Sequence, residues 1–139
     1  MKIIKINIYQ VSLPMKEGSY SWSNQSFEAF DSTVVEIQTD EGISGVGEIC
    51  PLGPAYLPAF AEGARVGMQV LAKGLMGHDP RHIGAINVLM DKLLKGHPYI
   101  KSALDIACWD IYGKATNQPV CNLLGGRLQD QVKLFKVVS

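Results

Sequence analysis

The chain has 139 residues, of which 47% are apolar and 19% charged, and its net charge is zero. This composition supports one domain with a hydrophobic core, excludes wholesale disorder, and gives no electrostatic case for binding nucleic acid or an anionic membrane. Apolar runs stay shorter than the ~18 residues that a membrane span needs. We therefore expect a cytoplasmic protein with no membrane or nucleic-acid partner.

The first segment has the alternation of a strand. Isoleucines alternate with polar residues from Ile4 to Ile8, the period of two that buries one face. Val11 and Leu13 continue with the opposite parity, which predicts a bulge or a strand end near Gln10. Residues 16–31 lack periodicity and are rich in serine and aromatic side chains, which predicts a long functional loop such as a lid.

A β-hairpin follows this loop. Residues 33–39 alternate as a strand, the turn closes at Gly42, where a positive φ is expected, and residues 43–50 return. Gly45 and Gly47 in the returning strand indicate that another backbone packs closely there. The sequence thus predicts a three-stranded antiparallel sheet.

Helical periodicity dominates the next part of the chain. The apolar face of the first helix is predicted to contain Leu57, Phe60, Ala61, Ala64, Met68, Leu71 and Leu75. Asp79 and Pro80 have the pattern of an N-cap followed by proline at the first helical position. A third helix is predicted over residues 99–113, with i,i+4 ion pairs Lys101–Asp105 and Asp110–Lys114.

The last segment, residues 132–138, has the pattern of a strand, and an unpaired strand is an open edge. We therefore expect an α+β domain over residues 1–126, with a three-stranded antiparallel sheet followed by a helical bundle. Residues 127–139 would begin a second domain that this chain does not contain.

Common catalytic and ligand-binding motifs are absent from the sequence. The glycine pairs fit neither a dinucleotide fingerprint nor a P-loop, and there is no G-x-S-x-G. Three histidines (His78, His82, His97) and three widely spaced cysteines (Cys50, Cys108, Cys121) lack metal-ligand spacing. We expect no metal site in this chain and buried free thiols in a reducing compartment.

Two kinds of side chain remain as candidates. Glu48 lies in a strand expected to be half-buried, so it is either half of a structural ion pair or a general base. The aromatic residues Trp22, Tyr20 and Tyr56 lie in two connections that border the same sheet. They either form a binding surface or close the edge of the core.

A family resemblance rests on residues 101–114, KSALDIACWDIYGK, together with Pro119-Val120 and the LLGG of residues 123–126. This pattern strongly resembles a signature of the mandelate racemase/muconate lactonizing enzyme family, part of the enolase superfamily. Ile100 departs from it, because alanine is usual there. The hairpin residues DEG (40–42) and GVGE (45–48) also look like the family's, and the resemblance covers essentially the whole chain.

The resemblance implies an enolase-like N-terminal capping domain followed by a (β/α) barrel, with residues 132–139 as the first barrel strand. Such a barrel needs roughly 200 residues or more, and the family's catalytic and magnesium-binding residues lie on it. The resemblance therefore assigns no catalytic or metal-binding residue to this chain, and this chain alone is expected to be inactive. The full protein would bind Mg²⁺ and take the proton next to a substrate carboxylate with a lysine or histidine. Residues 16–31 and 50–56 would close over the substrate.

Residues 50–56 and 95–99 are similar to members that act on proline derivatives, namely cis-3-hydroxy-L-proline dehydratases and proline- or hydroxyproline-betaine epimerases. Tyr56 over a cationic ring nitrogen would gain cation–π attraction, and Tyr20 and Trp22 favour the dehydratase. A different class, a self-contained non-catalytic α+β interaction domain, is the alternative. We expect a small-molecule carboxylate as substrate, the protein's own barrel as partner, and a homo-oligomer.

Overall fold

The computed structural model describes residues 1–22 and 24–134. The elements in this part of the chain are β1 (Ile3–Pro14), β2 (Tyr20–Trp22), β3 (Gln25–Phe27), β4 (Ala29–Thr39), β5 (Ser44–Ile49), α1 (Ala61–Leu75), α2 (Ile83–Leu93), α3 (Pro98–Thr116) and α4 (Val120–Leu123). The α+β architecture predicted from the sequence is confirmed. None of the helices described is long and apolar enough to cross a membrane.

The main sheet is antiparallel and three-stranded, in the order β1-β4-β5. Val35 and Ile37 on β4 are fully buried beneath the helices, and Ile8 and Ile6 lie opposite them on β1. Gly42 closes the β4–β5 turn with φ +77°, as predicted. This sheet forms one layer, and α1, α2 and α3 form the other.

The predicted irregularity in β1 lies elsewhere. Pairing with β4 runs without interruption through Gln10 to Pro14, and the register shifts between Ile3 and Lys5 instead. The extra residue, Ile4, is left exposed at the sheet surface. With the bulge placed there, Ile6 and Ile8 face the core, while Val11 continues on the outer face without any break.

Two helix starts differ from the sequence prediction. Helix α1 begins at Ala61, so Leu57 and Phe60 precede it and are about half-exposed instead of buried. Helix α2 begins at Ile83, because the carboxylate of Asp79 accepts hydrogen bonds from the backbone and guanidinium of Arg81 and forms a turn. Asp79 is therefore not the N-cap of α2.

Helix α3 packs directly on β5. A side chain at Gly45 or Gly47 would overlap the carbonyl oxygens of Ala107 and Ala103, which confirms the predicted close approach of backbones. The Asp110 carboxylate accepts a hydrogen bond from the backbone N–H of Val46 at 3.0 Å. Helix α3 thus covers the free edge of the sheet.

One of the two predicted ion pairs on α3 forms. Lys114 Nζ lies 2.7 Å from Asp110 and also donates to the carbonyl of Ser44. Lys101, which is nearly buried, instead pairs with Asp91 of α2 at 2.6 Å. Asp105 accepts a hydrogen bond from Asn87, so the predicted Lys101–Asp105 pair is wrong. Both contacts, Lys101–Asp91 and Asn87–Asp105, join α2 to α3.

The chain is irregular after α4. Residues 132–134 form no strand, which contradicts that part of the predicted strand, and residues 135–139 lie outside the described residues. A strand needs a neighbour to satisfy its backbone groups, and no strand of the described chain lies beside this segment. The proposed domain boundary at residue 126 stays a prediction.

The three thiols are free, but they differ in burial. Cys108 is fully buried, and burial raises the pKa of its thiol to about 12. Cys121 is partly buried and Cys50 is exposed, so the expectation of buried thiols is correct for Cys108 and wrong for Cys50.

Candidate functional site

The segment predicted as an irregular loop contains a short hairpin, β2–β3. Tyr20 pairs with Phe27 and Ser21 with Ser26 across it. Paired residues share a face, so Tyr20, Trp22 and Phe27 lie on one face of the hairpin. The Oγ atoms of Ser21 and Ser26 meet at 3.0 Å on the other face. Each strand is only three residues long, which is too short for the alternation of aromatic and serine residues to predict a strand from the sequence.

The connection between β5 and α1 forms a tight turn. Gly53 adopts φ +101°, and its carbonyl accepts hydrogen bonds from the backbone N–H groups of Tyr56 and Leu57 at 3.1 and 3.2 Å. The hydroxyl of Tyr99, in the first turn of α3, donates to the carbonyl of Pro58 at 2.5 Å. The connection is thus fixed to the helical layer at its far end.

Two of the three aromatic residues singled out from the sequence meet in the structure. The rings of Trp22 and Tyr56 pack edge to face, with centroids 5.3 Å apart. We call this contact the Trp22–Tyr56 pair. It joins the hairpin to the β5–α1 connection, so these two segments converge. Tyr56 remains 58% exposed and can still contact a further molecule.

Tyr20 does not join this pair. Its ring packs edge to face on Phe30, with centroids 6.0 Å apart, and Phe30 in turn lies 5.6 Å from Phe27. The sequence analysis did not single out Phe27 or Phe30 as site residues. Phe27 belongs to β3 and Phe30 to β4, so these rings extend the aromatic surface from the hairpin onto β4.

The indole N–H of Trp22 is a further feature of this surface. Its Nε1 atom is buried and has no hydrogen-bond acceptor among the described residues. An unsatisfied buried donor costs about 1–3 kcal/mol, so a ligand or water that accepted this hydrogen bond would stabilise the surface. This property could not be read from the sequence, because it depends on the packing around the ring.

An ion pair fixes the base of the hairpin. Arg65 of α1 donates two hydrogen bonds to the two carboxylate oxygens of Asp31, both at 2.9 Å, and a third to Thr33 at 3.2 Å. Gln10 of β1 donates to the same carboxylate. The guanidinium of Arg65 lowers the pKa of Asp31, so this carboxylate is charged at neutral pH. Sequence analysis missed this pair, because its members lie on different elements.

A cleft of about 210 Å³ lies between the hairpin, the β5–α1 connection and the start of α1. Its apolar lining includes Phe27, Phe30, Leu52, Pro54 and Phe60. The carboxylates of Asp31 and Glu62 also line the cleft, and Asp31 is engaged by Arg65. A small ring compound would find apolar contacts here beside these charges.

Glu48 differs from its expected environment. It is exposed, and its carboxylate accepts a hydrogen bond from the buried hydroxyl of Ser32 at 2.5 Å. The described residues give Glu48 no ion-pair partner, and its role as half of an ion pair or as a general base stays a prediction. Within residues 1–22 and 24–134, no group of three His, Cys, Asp or Glu side chains is placed to hold a metal ion. The described residues therefore do not fit a magnesium site.

The sequence profile of the mandelate racemase/muconate lactonizing enzyme family, N-terminal domain, matches residues 4–125. The chain belongs to this family. Its three-stranded sheet, its helical layer and the α3 segment that carries the signature are therefore those of the family's N-terminal domain.

Individual relatives agree with this assignment. The chain is 60% identical over its whole length to a cis-3-hydroxy-L-proline dehydratase from Roseibium aggregatum and spans 38% of that protein. It is 35% identical to an N-succinyl-L-Arg/Lys racemase from Bacillus cereus, again over its whole length, and spans 37% of it. The chain thus corresponds to less than half the length of these relatives.

A solved structure gives the same result in three dimensions. A member of the enolase superfamily from Roseovarius nubinhibens ISM, complexed with magnesium, superposes on 90% of the chain with a TM-score of 0.83 and 43% identity. The chain covers 34% of that structure. The fold expected from the resemblance, an enolase-like N-terminal domain, is confirmed.

Proposed function

We propose that this chain is the capping part of an enzyme that dehydrates cis-3-hydroxy-L-proline. The observation that carries the proposal is the 60% identity over the entire chain to a protein of that activity. Substrate-capping segments differ between enzymes of different specificity, because loops on a rigid scaffold carry the binding residues. The match to that protein covers both converging segments, which favours a shared substrate.

The reaction removes the proton from Cα and releases the hydroxyl of C3 as water. A double bond then joins Cα and C3. The proton acceptor would lie in the part of the protein outside this chain. The magnesium ion seen with the related structure would be held there too, since the described residues do not fit it. The role of this chain is to close the site and to recognise the substrate.

The Trp22–Tyr56 pair supports this role. Both rings come from connections that the scaffold brings together, and Tyr56 is largely exposed. Tyr56 facing the ring ammonium of a cyclic amino acid would add roughly 0.5–2 kcal/mol of cation–π attraction. A closed aromatic surface also excludes water from the reacting atoms. We propose Tyr56 and Trp22 as substrate-capping residues, and Tyr20 as a residue that supports them through Phe30.

A racemase or epimerase of proline betaine or hydroxyproline betaine is the second candidate. The racemase relative shows that this fold also serves α-proton exchange without dehydration, and an exposed tyrosine suits a quaternary ammonium equally well. Both reactions begin with loss of the α-proton. They differ in whether a hydroxyl at C3 then leaves.

Incubation of the whole protein with each substrate in D₂O separates the two candidates. Proton NMR should show loss of cis-3-hydroxy-L-proline and appearance of an unsaturated product, and chelation of divalent metal ions should abolish it. Deuterium at Cα of a betaine, without elimination, would replace the dehydratase by the epimerase. No turnover of either substrate class by folded, magnesium-loaded protein would contradict both and favour the non-catalytic interaction domain.

We further propose that the protein is a cytoplasmic homo-oligomer. Three free cysteines, one of them exposed, suit a reducing compartment. Light scattering of the whole protein tests the assembly, and a mass equal to one chain would contradict it.

A further inference from the structure

Helix α3 reaches the β5–α1 connection through one side chain of its first turn, Tyr99. The hydroxyl of Tyr99 donates a hydrogen bond to the backbone carbonyl of Pro58 at 2.5 Å, although 41 positions separate the two residues in the sequence. Pro58 follows the substrate-capping residue Tyr56 by two positions. Residues 95–99, which resemble members acting on proline derivatives but lie outside both capping segments, thus contact the connection that carries Tyr56.

Tyr99 is itself held by the helical layer. Its ring is partly buried and packs against the hydrophobic core, and the next residue, Ile100, is only 3% exposed. The hydroxyl of Ser102 donates to the backbone carbonyl of Tyr99 at 2.8 Å. His97, directly before the helix, adopts a left-handed φ of +51° and packs its ring edge to face on that of Tyr99. Such a backbone conformation persists where the surrounding structure holds it, so Tyr99 is a fixed donor.

The position of the Tyr56 ring, in contrast, depends mainly on its backbone. The ring is 58% exposed, and it packs edge to face on Trp22. On one side, the backbone N–H of Tyr56 donates to the carbonyl of Gly53. On the other side, the carbonyl of Pro58 is held by Tyr99. Because few side-chain contacts hold an exposed ring, these two backbone attachments set the direction in which Tyr56 points.

We propose that Tyr99 is a positioning residue, whose hydroxyl holds the β5–α1 connection and so sets the position of the Tyr56 ring. The inference rests on the capping role proposed for Tyr56 and adds the residue through which the helical layer controls that role. A single hydrogen bond changes a local opening equilibrium about two- to tenfold. Its loss should therefore loosen the connection without unfolding the domain.

Hydrogen exchange of the whole protein, measured by mass spectrometry, tests the hold on the connection. Tyr99→Phe removes the hydroxyl and keeps the ring, so the amides of Tyr56 and Leu57, which donate within the connection, should exchange about two- to tenfold faster. Tyr9→Phe is the matched control, because it removes a hydroxyl that donates to Glu36 from strand β1. It should leave exchange in the connection at the wild-type rate.

A double-mutant cycle shows whether Tyr99 acts through Tyr56. Tyr99→Phe should lower kcat/KM for cis-3-hydroxy-L-proline about two- to tenfold, in line with the change in exchange. In the Tyr56→Ala background, Tyr99→Phe should have no further effect, because the ring that it positions is already absent. A general effect on the fold would lower kcat/KM equally in both backgrounds.

Two results would overturn the proposal. Unchanged exchange at Tyr56 and Leu57 in Tyr99→Phe would show that the hydroxyl does not hold the connection. Equal losses of kcat/KM in both backgrounds of the cycle would show that Tyr99 does not act through Tyr56. If the whole protein does not turn over this substrate, the proposed function fails, and the exchange measurement still decides whether Tyr99 holds the connection.

Discussion

Trp22 and Tyr56 are the residues on which the proposed function can be tested most directly. Substituting either by alanine in the whole protein should lower kcat/KM for cis-3-hydroxy-L-proline about ten- to a hundredfold, or about 1–3 kcal/mol, because water exclusion and ring contact are lost together. Thermal stability should change little, since both side chains belong to connections outside the main core. Steady-state kinetics and thermal unfolding measure the two effects.

The control is Leu71→Ala, which removes a fully buried side chain of α1. It should cost about 2–5 kcal/mol of stability by leaving a cavity. Because the two rings contact each other, the double variant Trp22→Ala/Tyr56→Ala should lose less than the sum of the single losses. Loop variants that keep full activity yet unfold as early as Leu71→Ala would make the pair structural and remove the capping assignment.

Asp79 couples stability to pH at a single residue. Hydrogen bonds from Arg81 are the main cause that lowers the pKa of Asp79 to about 2. The pKa of an aspartate in the unfolded state is about 3.9. Between this pH and about 2, the folded state therefore binds fewer protons than the unfolded state. The stabilisation is therefore complete above the unfolded-state pKa and is lost as the pH falls toward about 2.

Urea unfolding at a series of acidic pH values checks this expectation. Asp79→Asn should lower stability at neutral pH and flatten the decline between about pH 5 and pH 2.5. Asp130→Asn is the matched control, because Asp130 is an exposed carboxylate beside Arg127 in the irregular segment. Equal pH curves for wild type and Asp79→Asn would show that Asp79 does not stabilise the turn before α2.

At the scale of elements, the contact between α3 and β5 depends on the absence of side chains. Gly47→Ala would push a methyl group into the carbonyl of Ala103, so either the helix or the strand must move. We expect a loss of stability of at least about 1–3 kcal/mol, the usual cost of overpacking. Chemical denaturation of the protein measures it.

Gly84→Ala in α2 is the matched control for this substitution. A methyl group there meets open space, and the backbone is helical, so alanine should stabilise by about 0.4–1 kcal/mol. A loss of stability at Gly47, beside a gain at Gly84, is the result that the close approach of α3 to β5 predicts. A neutral Gly47→Ala would show that α3 does not lie against β5 at this point.

Patterns among neighbouring residues predicted the β4–β5 hairpin and the three long helices. The alternation around Val35 and Ile37 and the glycine turn at Gly42 gave the β4–β5 hairpin, and helical periodicity gave α1 to α3. Gly45 and Gly47 also predicted that another backbone packs closely on this strand, and the structure identifies that backbone as α3. These features are predictable because period, turn geometry and side-chain size are set by neighbouring residues.

Contacts outside the residue patterns explain the parts that the sequence did not predict. Asp79 has the residue type of an N-cap, but its carboxylate accepts hydrogen bonds from Arg81, only two residues away. Lys101 has an acidic residue one turn away, but it pairs with Asp91 on another helix. The strands of the β2–β3 hairpin are too short for a periodic signal, and its rings pack on Phe30 and Tyr56. The last two outcomes require knowing which residue of another element is adjacent in space.

For the molecule as a whole, the residues of the family signature hold the fold together and do not contact the proposed substrate. Ala103 and Ala107 of the signature have small side chains, so the backbone of α3 can lie against the glycines of β5. Asp110 and Lys114 bind backbone groups of β5 and close the sheet edge. These residues make the domain recognisable, whereas the residues proposed to contact substrate lie in the two connections. A shared signature therefore places the chain in its family without selecting the reaction.

This division predicts how magnesium binding is distributed. The 139-residue chain by itself should show no saturable Mg²⁺ binding at micromolar concentrations, because Mg²⁺ requires several oxygen ligands in octahedral arrangement and the described residues offer no such cluster. Isothermal titration calorimetry measures this on the folded chain, with the whole protein as the positive control. Weak heats that vanish at moderate salt would report only screened surface carboxylates. A single site of micromolar affinity on the isolated chain would place metal ligands in the capping domain, and the assignment of all metal chemistry to the rest of the protein would then be wrong.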